Sequence, residues 1–155
     1  MQIPVKNCDG FLEGNLILEK WNMYWGKDLD LKLNIGGDMV VERADGIHEK
    51  GYAYLIENQS LILNSILDEV SLRYSELIKR YNYQKGSELK DIIVPETIFI
   101  MDVHREGMSY IGYEFSCAWE EEHDLGLMLH GTRVVAYGQG DTAFLSWIAE
   151  EDQGK

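Results

Sequence analysis

The side chains with the most chemistry in this chain stand close together. Glu120, Glu121, Glu122 and Asp124 flank His123 in the run Trp119 to Gly126. Carboxylates packed so densely repel one another unless they are solvated or paired, so their spacing asks for an explanation. A histidine beside carboxylates is the composition of an acid–base pair, here His123 with Glu121. Yet no serine or cysteine stands in a nucleophile-elbow setting, and Gly138 and Gly140 in YGQGD read as a turn rather than a dinucleotide or phosphate loop. For a metal, the histidines are His48, His104, His123 and His130, and Glu121, His123 and His130 are the set that could converge. Neither HExxH nor CxxC spacing is present, and the alternating Asp/Asn loop around a central glycine that holds calcium is missing. The sequence therefore predicts no catalytic residues, no metal and no cofactor. What remains for Glu120, Glu121, Glu122 and Asp124 is a partner-binding surface that docks on Arg and Lys, set against a plain solvated loop anchored by Trp119.

Charge favours a binding surface. Lys plus Arg number 14 against 27 Asp plus Glu, a net charge of −13 at pH 7. Nucleic acid and anionic lipid need the opposite sign, so neither is expected as a partner. A basic protein would be drawn in faster. No apolar run approaches the roughly 20 residues that span a bilayer. The opening MQIPVKNCDG lacks the apolar core of a signal peptide, and Cys8 and Cys117 suit two reduced thiols. These features predict a cytoplasmic protein.

The elements that position these residues follow from periodicity. At 155 residues the chain fits one domain, spanning 1–155, with roughly 70% of its extended surface buried. Phe11 to Trp21 reads as a strand punctuated by Gly14. Leu29, Leu31, Leu33 and Ile35 alternate with Asp30, Lys32 and Asn34, a second strand with the polar residues in water. Gly36, Gly37 and Asp38 turn the chain into a third strand, Met39 to Glu42. Asp45 is a candidate N-cap for a long helical stretch over 47–83. Its stripe includes Leu55, Ile62, Ile66 and Val70, and Glu69–Arg73 is an i,i+4 pair. As one rod it would be longer than the domain is wide, which predicts a break near Asn58 to Ser60 or near Arg73 to Ser75. Beyond Pro95, short strands follow with tight turns at Glu106–Gly107 and Gly131–Thr132. Ile111, Tyr113, Phe115 and Cys117 point inward and Tyr110, Gly112, Glu114 and Ser116 outward; Leu125, Leu127 and Leu129 face in again. Asp141 to Ile148 predicts a short helix laid on the sheet, with a frayed end from Glu150. Strands, then helix, then strands give an α+β domain: an antiparallel sheet, made of an N-terminal β-meander and C-terminal hairpins, packed by a long central helix or helix pair.

The stretch from Tyr110 to Trp147 resembles an uncharacterised family of small bacterial proteins whose C-terminal signature is Trp-Asp-Glu-Glu-His-Gly-Leu-Gly. The matching residues are Trp119, Glu121, Glu122, His123, Leu125 and Gly126, then Arg133, Val134 and Val135, then Gly138 and Asp141. Glu120 stands where the signature has Asp, and Asp124 where it has Gly, a position at which glycine would mark a turn. The resemblance implies a bacterial origin and an association with polymorphic-toxin loci. There small acidic proteins serve as immunity factors that bind a cognate, basic toxin stoichiometrically. It brings no catalytic residues, and Trp119, His123, Leu125 and Gly126 are its structural signature: Trp119 and Leu125 packing the sheet, His123 bonded to a turn carbonyl, Gly126 permitting close backbone approach. The expected function is toxin neutralisation, the alternative a small-ligand-binding or regulatory domain without catalysis.

Overall fold

The computed structural model describes residues 5–6, 10–79 and 88–155, the side chains at 5, 6, 120 and 121 excepted. Cys8, the helix end expected at Tyr83 and the turn at 85–87 lie outside the described residues.

A seven-stranded sheet runs in chain order: β1 (Val5–Lys6), β2 (Leu12–Leu16), β3 (Leu31–Ile35), β4 (Ile93–Arg105), β5 (Met108–Cys117), β6 (Glu120–His130) and β7 (Arg133–Gln139). Neighbours are antiparallel except β3 and β4, which are parallel. Parallel pairing needs a long return path. The helices α2 (Gly46–Glu57) and α3 (Gln59–Arg73) provide it. The result is the expected α+β fold, a largely antiparallel sheet with a helix pair packed on one face.

The helix pair breaks where rod length requires. Asn58 sits between α2 and α3 with φ −123°, and its side-chain amide donates to the Tyr54 carbonyl at 2.9 Å. Asp45 caps α2, accepting from the N–H groups of Ile47 and His48 at 3.0 and 3.2 Å. The backbone turns at Tyr74 and is helical again over residues 75–79. The Arg73 guanidinium donates to Glu69 at 2.9 Å.

The N-terminal third departs from the expected strands. β2 ends at Leu16, and Glu19–Trp25 is a helix, α1, closed by Gly26 at φ 72°. Trp21 and Trp25, one turn apart, carry it. Both are buried, their indole N–H groups donate at 2.9 Å to the carbonyls of Gln59 and Ile93, and both rings pack against Phe115. Met39 to Glu42 is not a strand either. Asn34 is buried rather than solvated, and its side chain accepts from the Gly37 N–H at 2.8 Å. Next, Asp38 turns to the C-terminal segment, where its carboxylate accepts from the Ser146 N–H and hydroxyl at 3.0 and 2.6 Å. Those two contacts hold the loop out of the sheet.

The sheet has a core on each side. Leu31, Leu33, Ile35, Ile98, Tyr113 and Leu127 meet α1, α2 and α3. On the other side a 3₁₀ turn (Gly140–Ala143) and α4 (Ser146–Gln153) cover Phe99, Met101, Tyr110 and Met128. Tyr110, on the face opposite Tyr113 as alternation requires, is thus wholly buried, and the chain from Glu150 to Gln153 is helical rather than frayed. Among the described residues no helix is long and apolar enough to cross a membrane.

Candidate functional site

The acids lie on a strand, not in a connecting loop. The β5–β6 turn is tight, with Cys117 paired to Glu120 across Ala118 and Trp119, so Glu120, Glu121, Glu122 and Asp124 open β6. The extended backbone also settles position 124: no turn occurs there, and an Asp in place of Gly carries no positive-φ strain. The side chains of Glu120 and Glu121 are outside the described residues. Glu122 and His123 are exposed and Asp124 is half-buried. Alternation on β6 puts Glu122 and Asp124 on the face opposite the helices.

There Asp124 joins two acids from other strands. β5 supplies Glu114, and β4 supplies Glu96, the extra residue where the β4–β5 register slips between Pro95 and Thr97. One carboxylate oxygen from each of Glu96, Glu114 and Asp124 lies within 4.8 Å of the others. Burial, then Asp124 and Glu96, push the Glu114 carboxyl up to about 7. Glu96 is shifted in the same direction, by burial and by Asp124. The backbone of Gly140 roofs the group: a Cβ there would stand 3.0 Å from both the Glu114 Oε2 and the Asp124 Cβ. A groove of about 280 Å³ opens beside it, lined in part by Glu122, Asp141 and Phe144. Such a group can hold a proton near neutral pH, or attract a cationic side chain. Asp124 was legible in the sequence. Glu96 and Glu114 were not singled out. Glu114 did read as outward-facing; the register slip that aims Glu96 has no local signal.

Glu114 has a measurable signature. Its folded pKa lies above the unfolded value, so its contribution to stability is complete below pH 4.5 and is lost as pH rises through about 7. Replacing it with Gln should change little at pH 5 and stabilise by about 1–2 kcal/mol at pH 8, a figure discounted for partial exposure. Urea denaturation at both pH values checks this; an equal effect at both would rule out charge crowding at Glu114.

The other candidates separate. His123 shares a strand face with Leu125, on the helix side. His130 is seven residues further along β6, about 23 Å away at roughly 3.3 Å per residue, so these two histidines do not converge. Instead His130 Nε2 meets the Arg105 carbonyl at 3.0 Å, and its ring packs on Tyr110. Trp119 stacks on Tyr74 with ring centres 5.3 Å apart, Leu125 is buried in the helix-side core, and Gly126 lies under the backbone of Gln139 and Gly140.

A second cluster, Asp45, His48 and Asp102, resembles an acid–base dyad but is occupied by structure. His48 is buried. Its Nδ1 accepts from the Asp45 N–H at 3.0 Å, completing the α2 cap, so Nε2 carries the proton and donates to Asp102 at 2.9 Å. Both ring nitrogens are thereby spent on fixing α2 to β4. The Tyr113 hydroxyl is buried without a hydrogen-bond partner among the described residues, and burial holds the phenol neutral.

Residues 12–145 match the family described as Domain of unknown function (DUF6985). No curated protein and no solved structure matches the chain.

Proposed function

The chain belongs to that family, and we propose that it is a non-catalytic immunity protein, which neutralises a cognate basic toxin by stoichiometric binding in the bacterial cytoplasm. One observation carries this reading: the acidity of the sheet face that borders the C-terminal segment. Strand pairing sets Glu13 and Glu114 on that face, with Glu96, Glu122 and Asp124 beside them and Lys32 among them. Lys32 is engaged locally, by Asn15 at 3.1 Å and Asp30 at 3.7 Å. The net charge of −13 extends the same field over the whole molecule. A toxin that acts on nucleic acid has a cationic cleft, and carboxylates on a rigid sheet can occupy it in place of phosphate.

The test is calorimetry with the purified product of the adjacent gene. Binding should be one-to-one and should weaken as salt rises. Reversing Glu120, Glu121, Glu122 and Asp124 to Lys should slow association by about 10–100-fold at low salt. An unchanged on-rate would remove this strand from the contact surface, and no binding at low salt would overturn the reading.

A further inference from the structure

The acidic face is not the only surface built for contact. The sheet ends at β7, which among the described residues pairs with β6 alone. An edge strand leaves alternate N–H and C=O groups directed away from its neighbour, a template for another strand. Natural edges are usually blunted by proline, lysine or shortness. β7 has seven residues, RVVAYGQ, with no proline or lysine. Its one irregularity is an extra residue at Val135, and from Ala136 to Gln139 the register with β6 is regular.

The edge is flanked by aromatic surface on both sides. Trp147, on α4, is 58% exposed and borders a groove of about 480 Å³ between α4 and β7, floored by Val135, Ala136 and Leu145. Tyr137 is 43% exposed on the helix side, where the Arg73 guanidinium lies 5.1 Å from its ring centre. A large exposed Trp beside an open strand edge is the residue type that dominates binding interfaces. Charge decides what fits. Asp141 and Glu151 line the groove against Lys155, while Arg133 is held by Asp152. A second copy pairing edge to edge would set two chains of −13 against each other.

We infer that β7 takes up an extended, basic segment of the protein partner as an added strand, with an Arg or Lys side chain laid over the Trp147 ring. Strand addition gives affinity through main-chain bonds, and the ring and the rim acids give selectivity for cations. This rests on the immunity reading for the partner's identity, though not for the chemistry of the surface.

Two probes keep the two ideas apart. With the adjacent gene product, Trp147→Ser should weaken binding by at least about 10-fold and the amides of 136–139 should gain protection from hydrogen exchange in the complex. A proline at an edge-directed N–H of β7 should act likewise if the variant folds; Trp147→Ser, at an exposed position, keeps the test valid if it does not. Tight binding with unprotected β7 amides and no effect of Trp147→Ser overturns the strand-addition inference and leaves the immunity reading intact. If the gene product does not bind at all, the immunity reading fails, and a display library of short random peptides becomes the probe. Enrichment of basic peptides of alternating polarity that lose binding to Trp147→Ser supports β7; peptides that bind both forms equally, or no enrichment, overturn it.

Discussion

Gly112→Ala is expected to unseat the C-terminal segment and to destabilise the protein by about 3 kcal/mol or more. Gly112 lies on β5 beneath the 3₁₀ turn. A Cβ there would stand 1.5 Å from the Ala143 oxygen and 2.5 Å from its carbonyl carbon. These are backbone atoms, so no rotamer relieves the overlap. Gly126 makes the neighbouring approach: a Cβ there would stand 2.5 Å from the Gln139 oxygen and 2.7 Å from that of Gly140. The strand and the turn can meet this closely only because both glycines lack a side chain. With the turn lifted, Met101, Tyr110 and Met128 lose their cover. Gly46→Ala is the control: nothing stands within 4 Å of a Cβ there, and a change within about 0.5 kcal/mol is expected. Urea denaturation gives the size, and limited proteolysis should cut the Gly112 variant after β7 before any other site. A Gly112→Ala protein as stable as the Gly46→Ala control would mean that the turn does not rest on β5.

The sequence revealed features set by near neighbours. Alternation marked the inward faces of β3, β5 and β6, and helix length foretold the break at Asn58. α1 was hidden because the strand-like run of β2 leads directly into it. The Trp21–Trp25 spacing was the available signal, and it was overridden by the apolar run before it. The parallel pairing of β3 with β4 joins segments more than fifty residues apart, beyond the reach of any local pattern. The carboxylate group fails for the same reason. Glu96, Glu114 and Asp124 come from three strands, and two registers with a slip in each must be known before they meet. Local density pointed instead to the contiguous acids, of which, among the described side chains, Asp124 joins the group.

The end of the chain shows the same dependence on remote partners, and it sets the last large effect. Asp152 is buried, where composition suggested fraying. Its carboxylate accepts from the Arg133 guanidinium at 2.7 and 3.1 Å and from the Tyr110 hydroxyl at 2.7 Å, while Arg105 donates to its backbone carbonyl at 3.2 Å. Removing it by Asp152→Ala takes the acceptor from a wholly buried Tyr110 hydroxyl and frees α4 from β5 and β7. A loss of about 2–3 kcal/mol is expected, since Arg133 remains half-exposed and can still reach water. The hydrogen bonds from Arg133, with help from Tyr110, hold the Asp152 carboxyl far below the usual carboxylate range, against the opposing pull of burial. A depressed folded pKa contributes stability above the unfolded value, near 4, and loses it as pH falls. Glu114 has the opposite sign. Acidification from pH 5 to pH 3 should therefore cost the wild type more stability than Asp152→Asn, which keeps the shape but has no proton to gain. In the same titration Glu114→Gln should differ from wild type only toward the alkaline side. Parallel acid limbs for wild type and Asp152→Asn would show that the carboxylate is not what ties α4 to the sheet. Because α4 also carries Trp147, its loosening in Asp152→Ala should weaken any strand added at β7 even though Asp152 itself is buried.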